Sequence, residues 1–167
     1  MKKIILFTSS NLRHKAFINI ISESKKLKIE KVFCESGDIL KKMVDKKDIN
    51  TLQKRHLLAR DHSEEDIFNP FLDKYSVINN FVERNWFSSK ECLNLVKKIN
   101  PDLILVYGTS IIKGAIIEQF RNKILNVHLG LSPYYRGSGT NYFPFVNNEP
   151  EYCGATFMFL DLSLIHI

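Results

Sequence analysis

Short apolar runs alternating with stretches of helical period are what most constrain the fold of this chain. Lys3–Phe7 is led by β-branched isoleucines and gives way to the polar cluster Thr8-Ser9-Ser10-Asn11; beyond it Ala16, Phe17, Ile20 and Ile21 recur at helical spacing. That pattern reads as strand, turn and helix, with Ser9, Ser10 or Asn11 as the helix cap. Ile29–Phe33 reads as a second strand, and two apolar strands separated by a helix predict a βαβ unit and a parallel sheet. Leu103–Tyr107 is the clearest buried strand, closed by Gly108-Thr109-Ser110; Ile111, Ile112, Ala115, Ile116 and Phe120 then predict a helix, and Ile124–His128 a further strand. The recurring order favours an α/β fold with a doubly wound, mostly parallel, Rossmann-like sheet.

Residues 37–99 have another texture, with many charges and few β-branched runs. Ile39, Met43 and Val44 form one helical stripe and Leu52, Leu57 and Leu58 begin another; Asn69-Pro70 marks a break; Ser88-Ser89 caps a helix carrying Cys92, Leu93, Leu95, Val96 and Ile99. The region reads as a mostly helical insertion. After His128 comes a loop, Leu129–Asn141, with Gly130, Pro133, Gly137 and Gly139; Tyr142–Val146 reads as a short helix and Gly154–Asp161 as a late strand.

At 167 residues, 44% hydrophobic and 25% charged, the chain suits one globular domain and is no fibre or low-complexity segment. The net charge of +6 suits an anionic small molecule or a nucleic acid and does not choose between them. The three cysteines, Cys34, Cys92 and Cys153, form no CxxC pair, so neither a zinc site nor a disulfide framework is expected; Cys34 and Cys153 sit in apolar runs and read as buried thiols. The apolar stretch after Lys2-Lys3 is too short for a signal peptide, no run is long enough to span a membrane, and the expected compartment is the cytoplasm. No GxGxxG follows the first strand, which removes the dinucleotide-binding reading.

The chemistry is concentrated at Asn126-Val127-His128. Positions two apart on a strand project from one face, so Asn126 and His128 are expected to point together beside a glycine-rich loop. An amide can donate to a developing oxyanion and an imidazole can hold or move a proton, which suits attack on an acyl carbon. The same pair is also a common structural hydrogen-bonding arrangement.

The stretch Asn126–Gly137, with Asn-x-His, Ser132-Pro133 and Tyr135-Arg136-Gly137, resembles the signature of the folate-dependent formyltransferases: the glycinamide ribonucleotide, methionyl-tRNA and amino-sugar N-formyltransferases. Gly154-Ala155-Thr156 is similar to the next family strand, and Pro101-Asp102-Leu103-Ile104 to Gly108 to the strand before the folate loop. The resemblance implies transfer of a formyl group from 10-formyltetrahydrofolate to a primary amine. It implies that Asn126 polarises the formyl carbonyl and that His128 is its electrostatic or proton-transferring partner. It implies that Gly108, Ile111, Ile112 and Lys113 line the pterin site, chiefly through backbone groups, although Ile111 and Ile112 read equally well as helix core. It implies a cis bond at Ser132-Pro133. Arg136 would meet an anionic group on the acceptor or order its own loop, and Tyr134 and Tyr135 would pack or form a stacking wall. No metal is implied.

Two departures shape what is expected. The family's third catalytic group is an Asp in a segment resembling Asp-x-Gly-x-Asp-x-Gly; Asp161 aligns with the first Asp, and the catalytic one falls at Ile165. Residues 1–161 are therefore expected to form the formyltransferase N-terminal catalytic domain, with the helical insertion at about 37–99. Residues 162–167 are expected to be a truncated or non-native tail, and the chain as written to be weakly active or inactive. The turn after the first strand also lacks the glycines with which purine-pathway members hold a phosphate. This disfavours glycinamide ribonucleotide and favours an amino sugar or sugar nucleotide, with Ser10 and Arg13 among its contacts, although an Arg-His pair such as Arg13-His14 at a helix start is more often plain surface. Methionyl-tRNA stays open as an acceptor, as does a non-catalytic folate- or nucleotide-binding module. A small-molecule amine is the expected partner, other nucleic acid and membrane are not, and a homodimer is admitted.

Overall fold

The computed structural model describes residues 1–36, 50–72, 79–137 and 139–161. Its strands are β1 (Lys2–Ser9), β2 (Leu27–Glu35), β3 (Asn79–Val82), β4 (Leu103–Tyr107), β5 (Ile124–His128) and β6 (Thr156–Phe159). Its helices are α1 (Leu12–Ser22), α2 (Thr51–Phe68), α3 (Lys90–Ile99), α4 (Ala115–Gln119) and α5 (Phe143–Val146). The strands form one sheet in the order β3-β2-β1-β4-β5-β6, in which β6 alone runs antiparallel. This is the doubly wound, mostly parallel α/β architecture expected from the strand–helix–strand recurrence.

The central strand β1 is buried on both faces, which is why Ile4–Phe7 reads as a continuous apolar run rather than an alternating one. Ile4 and Leu6 pack with Ile18 of α1 and Val32 on one face. Ile5 and Phe7 pack on the other with Phe87, Cys92 and Val96, and with Ile112, Ile116 and Ile117. Phe7 and Phe87 stack with ring centroids 4.4 Å apart. The Ser89 side chain caps α3 by accepting the Cys92 N–H at 3.0 Å, as its position before the apolar stripe implies.

The structure differs from the sequence reading in several places. Residues 37–99 are not simply helical: Asn79–Val82 is an edge strand parallel to β2. This short segment has no apolar alternation of its own, and its strand geometry comes from pairing with Val32–Glu35 and from the Asn80 side chain donating to the Val32 carbonyl at 3.0 Å. The Ile39, Met43 and Val44 stripe lies outside the described residues. In α1 the buried positions are His14, Ala16, Ile18 and Asn19, whereas Ile20 faces outward. The helix expected from Ile111 begins only at Ala115, because Gly114 adopts φ +77° and interrupts it. Cys153 is exposed rather than buried; Cys34 and Cys92 are buried, and burial pushes their thiols up to about 11 and about 12. Among the described residues no helix is long and apolar enough to cross a membrane.

Candidate active site

Strand order reverses between β1 and β4: β2 and β3 lie to one side of that boundary, β5 and β6 to the other. In open parallel sheets a crevice forms beyond the carboxyl ends of the strands at such a point. Here a cavity of about 840 Å³ opens there. Its lining comes from the start of α1 (Arg13, His14), from Val106–Lys113, from Asn126–Leu129, and from Thr140, Leu160 and Asp161.

Asn126 and His128 alternate with Val127 along β5, so they share a face with the core residue Ile124. Asn126 lies opposite Val106 on β4 and Met158 on β6, and His128 opposite Thr156. Both line the cavity and both are half-buried. Among the described residues neither side chain hydrogen-bonds to another, and an amide and an imidazole line one cavity together.

The floor is the segment after β4. The Thr8 hydroxyl donates to the Tyr107 carbonyl at 2.8 Å and ties the ends of β1 and β4 together. Gly108 has φ +68°, and a Cβ built there would sit 2.2 Å from His14 Nε2; the imidazole occupies the space that any other residue would need. Beyond it, the Ser110 N–H donates to Glu35 Oε2 at 2.7 Å, and the Lys113 N–H to the Ser88 hydroxyl oxygen at 2.9 Å. Ile112 points into the core, whereas Ile111 is 69% exposed.

His14 is buried, with Nδ1 2.6 Å from the Ser9 hydroxyl and its ring edge-on to Tyr107. Burial, and secondarily the charge of Arg13, push its pKa down to about 3, so it is neutral at physiological pH. The Arg13 guanidinium pairs with Glu64 of α2, and Arg60 Nε lies 3.6 Å from the same carboxylate oxygen. Helix α2 therefore meets the cavity lining at Arg13, through a carboxylate shared by two arginines.

The loop after β5 is stitched to β6. The Thr156 hydroxyl donates to the Gly130 carbonyl at 2.6 Å and accepts the Ser132 N–H at 2.9 Å. The Ser132-Pro133 bond is cis. The exposed Arg136 donates through Nε to the Pro133 carbonyl at 3.2 Å, within its own loop.

Of the residues singled out from sequence, the cavity brings together Asn126, His128, Gly108, Ile111, Ile112, Lys113 and Arg13; Ser10 and Arg136 are not among its lining. His14, whose place at a helix start more often means plain surface, is a buried wall of the cavity, and Asp161, an alignment anchor in the sequence, also lines it. Glu35 was not anticipated: a lone Glu at a strand end carries no signal in sequence, since its partners are 50 and 75 residues away. Ile165 lies outside the described residues. Among the described residues no cluster of His, Cys, Asp and Glu could hold a metal ion.

Comparison with known proteins agrees with this architecture. The chain is 38% identical over 79 residues to methionyl-tRNA formyltransferase from Finegoldia magna, covering 46% of this chain and 25% of that protein. It is 34% identical over 77 residues to methionyl-tRNA formyltransferase from Clostridium tetani, covering 45% and 24%. These alignments span about a quarter of the relatives' length. Among solved structures, phosphoribosylglycinamide formyltransferase from Anaplasma phagocytophilum superposes with a TM-score of 0.63 at 14% identity, covering 96% of this chain and 65% of that one. A formyltetrahydrofolate deformylase from Pseudomonas syringae superposes with a TM-score of 0.55 at 12% identity, covering 96% and 46%; at these identities the likeness is one of fold. The formyl transferase family model matches residues 2–164, nearly the whole sequence, and the chain belongs to that family.

Proposed function

We propose that this chain carries the catalytic core of an enzyme that moves a formyl group from 10-formyltetrahydrofolate to a primary amine. The observation that carries this reading is that Asn126 and His128 line one cavity together with the 108–113 segment. A cavity of about 840 Å³ is roomy enough for a drug-sized ligand. The lining combines apolar residues, among them Val106, Ile117 and Leu160, with the backbone of segment 108–113, which suits a flat heteroaromatic ring.

The co-substrate, when bound, supplies an electrophilic formyl carbon. The Asn126 amide then donates to the formyl oxygen as negative charge builds on it, an interaction stronger in the transition state than in the ground state. His128 takes the proton released when the amine nitrogen bonds to that carbon, and returns it to the folate nitrogen whose bond to carbon breaks. Atoms balance with no redox partner. The resemblance places a third carboxylate at position 165, where this chain has Ile, so slow turnover is expected.

For the acceptor we favour an amino sugar or sugar nucleotide over glycinamide ribonucleotide, because the Thr8–Asn11 turn lacks the glycines with which purine-pathway members hold a phosphate, and the Arg13 guanidinium of the cavity lining is already paired with Glu64 of α2. Methionyl-tRNA is the second reading, favoured by the curated relatives. The test supplies 10-formyltetrahydrofolate with an amino-sugar nucleotide, methionyl-tRNA or glycinamide ribonucleotide and detects the formylated amine. Asn126→Ala is expected to lower the rate by about 100- to 1,000-fold, and Asp restored at position 165 in a full-length protein to raise it. Formylation of none of these amines, with no binding of 5-formyltetrahydrofolate, would sink the reading.

A further inference from the structure

We infer that Glu35 is a positioning residue of the folate site: its carboxylate holds segment 109–113 so that the Ile111 and Ile112 backbone faces the cavity. This rests on the reading above. Glu35 ends β2 and is only 8% exposed, yet among the described residues it pairs with no cation. It follows Val32, Phe33 and Cys34, which are simply buried and apolar. A buried carboxylate is costly, so the groups that satisfy it show what it is there to hold.

There are three such groups. Oε1 accepts the Asn85 N–H at 2.8 Å and also the Ser110 hydroxyl; Oε2 accepts the Ser110 N–H at 2.7 Å. Asn85 adopts φ +67° and opens the turn that carries Ser88, whose hydroxyl oxygen accepts the Lys113 N–H. The loop after β4 is thus pinned at Ser110 and at Lys113 to the same neighbouring turn, directly or through Glu35. Between the pins, Ile112 anchors its side chain in the core, and the backbone groups of Ile111 and Ile112 hydrogen-bond to no other described residue. Donors and acceptors left open between two fixed points are preorganised for a ring that reads backbone.

Gln is nearly isosteric with Glu but offers one acceptor oxygen, and its NH₂ would confront one of the donors that the carboxylate now satisfies. Glu35→Gln therefore tests the clamp in the intact chain. Hydrogen exchange without ligand is expected to quicken at least about tenfold within 109–113 while β1 and β4 keep their protection, because only a local opening is eased. The dissociation constant for 5-formyltetrahydrofolate is expected to rise by about tenfold, and by less for Ser110→Ala, which keeps its N–H bond. Wild-type exchange and wild-type affinity in Glu35→Gln would overturn the inference; so would a loss of protection spread evenly over the sheet, which would mean a general structural role. If the unsubstituted chain binds no 5-formyltetrahydrofolate, the folate reading fails, and the exchange comparison still decides whether Glu35 holds the loop.

Discussion

His14 and Gly108 constrain each other. The ring fills the space where a Cβ at 108 would lie, and the glycine holds a backbone angle that L side chains rarely adopt. Gly108→Ala is expected to cost about 3 kcal/mol or more, from the left-handed backbone and the displaced imidazole together, measurable as a shift of the urea midpoint. The same burial makes stability depend on pH. Unfolded, His14 takes a proton near pH 6.5; folded, it stays neutral down to about 3. The unfolded state therefore binds more protons between those values, so stability is full above pH 6.5 and falls as pH drops below it. The loss by pH 5 is about 2 kcal/mol. Urea titrations at pH 7.5 and 5 check this, and His14→Gln should flatten that part of the profile. The shared face of Asn126 and His128 was legible in sequence because strand alternation is local. The burial of His14 was not, since Arg13-His14 at a helix start looks the same whether or not a glycine lies beneath it.

Elements were legible where their cause was local. β1, β4 and β5 carry apolar runs, and α3 announces itself through Ser89 and a clear stripe. β3 did not, because Asn79–Val82 is a strand only beside β2. The helix read over 111–120 shows the converse: its apolar spacing is real, but Gly114 breaks it, and Ile111 and Ile112 become cavity wall instead. Thr156 shows how one position can join two elements, since its hydroxyl fastens the loop after β5 to β6 through two hydrogen bonds. Thr156→Val keeps the shape and leaves the Ser132 N–H and the Gly130 carbonyl without that partner. It is expected to cost about 2 kcal/mol in equilibrium unfolding, read as a shift of the urea midpoint.

Across the whole molecule the cavity draws on residues as far apart as Arg13 and Asp161, so it exists only when β1, β4 and β5 are aligned side by side. The outermost strand, β6, leaves Phe157 and Phe159 largely exposed, at 65% and 48%. Exposed aromatics on an edge strand invite association. Replacing both with Ser is expected to raise the concentration at which light scattering begins without changing the unfolding free energy by more than about 0.5 kcal/mol.

The pairing of Arg13 with Glu64 carries a consequence for whatever enters. A negatively charged visitor does not find a vacant guanidinium; it finds one already engaged by a helix from the insertion, with Arg60 close behind. Admission there is a trade of one anion for another. Glu64 of α2, between β2 and β3 in the chain, is thus the anion that any such visitor would have to displace from Arg13.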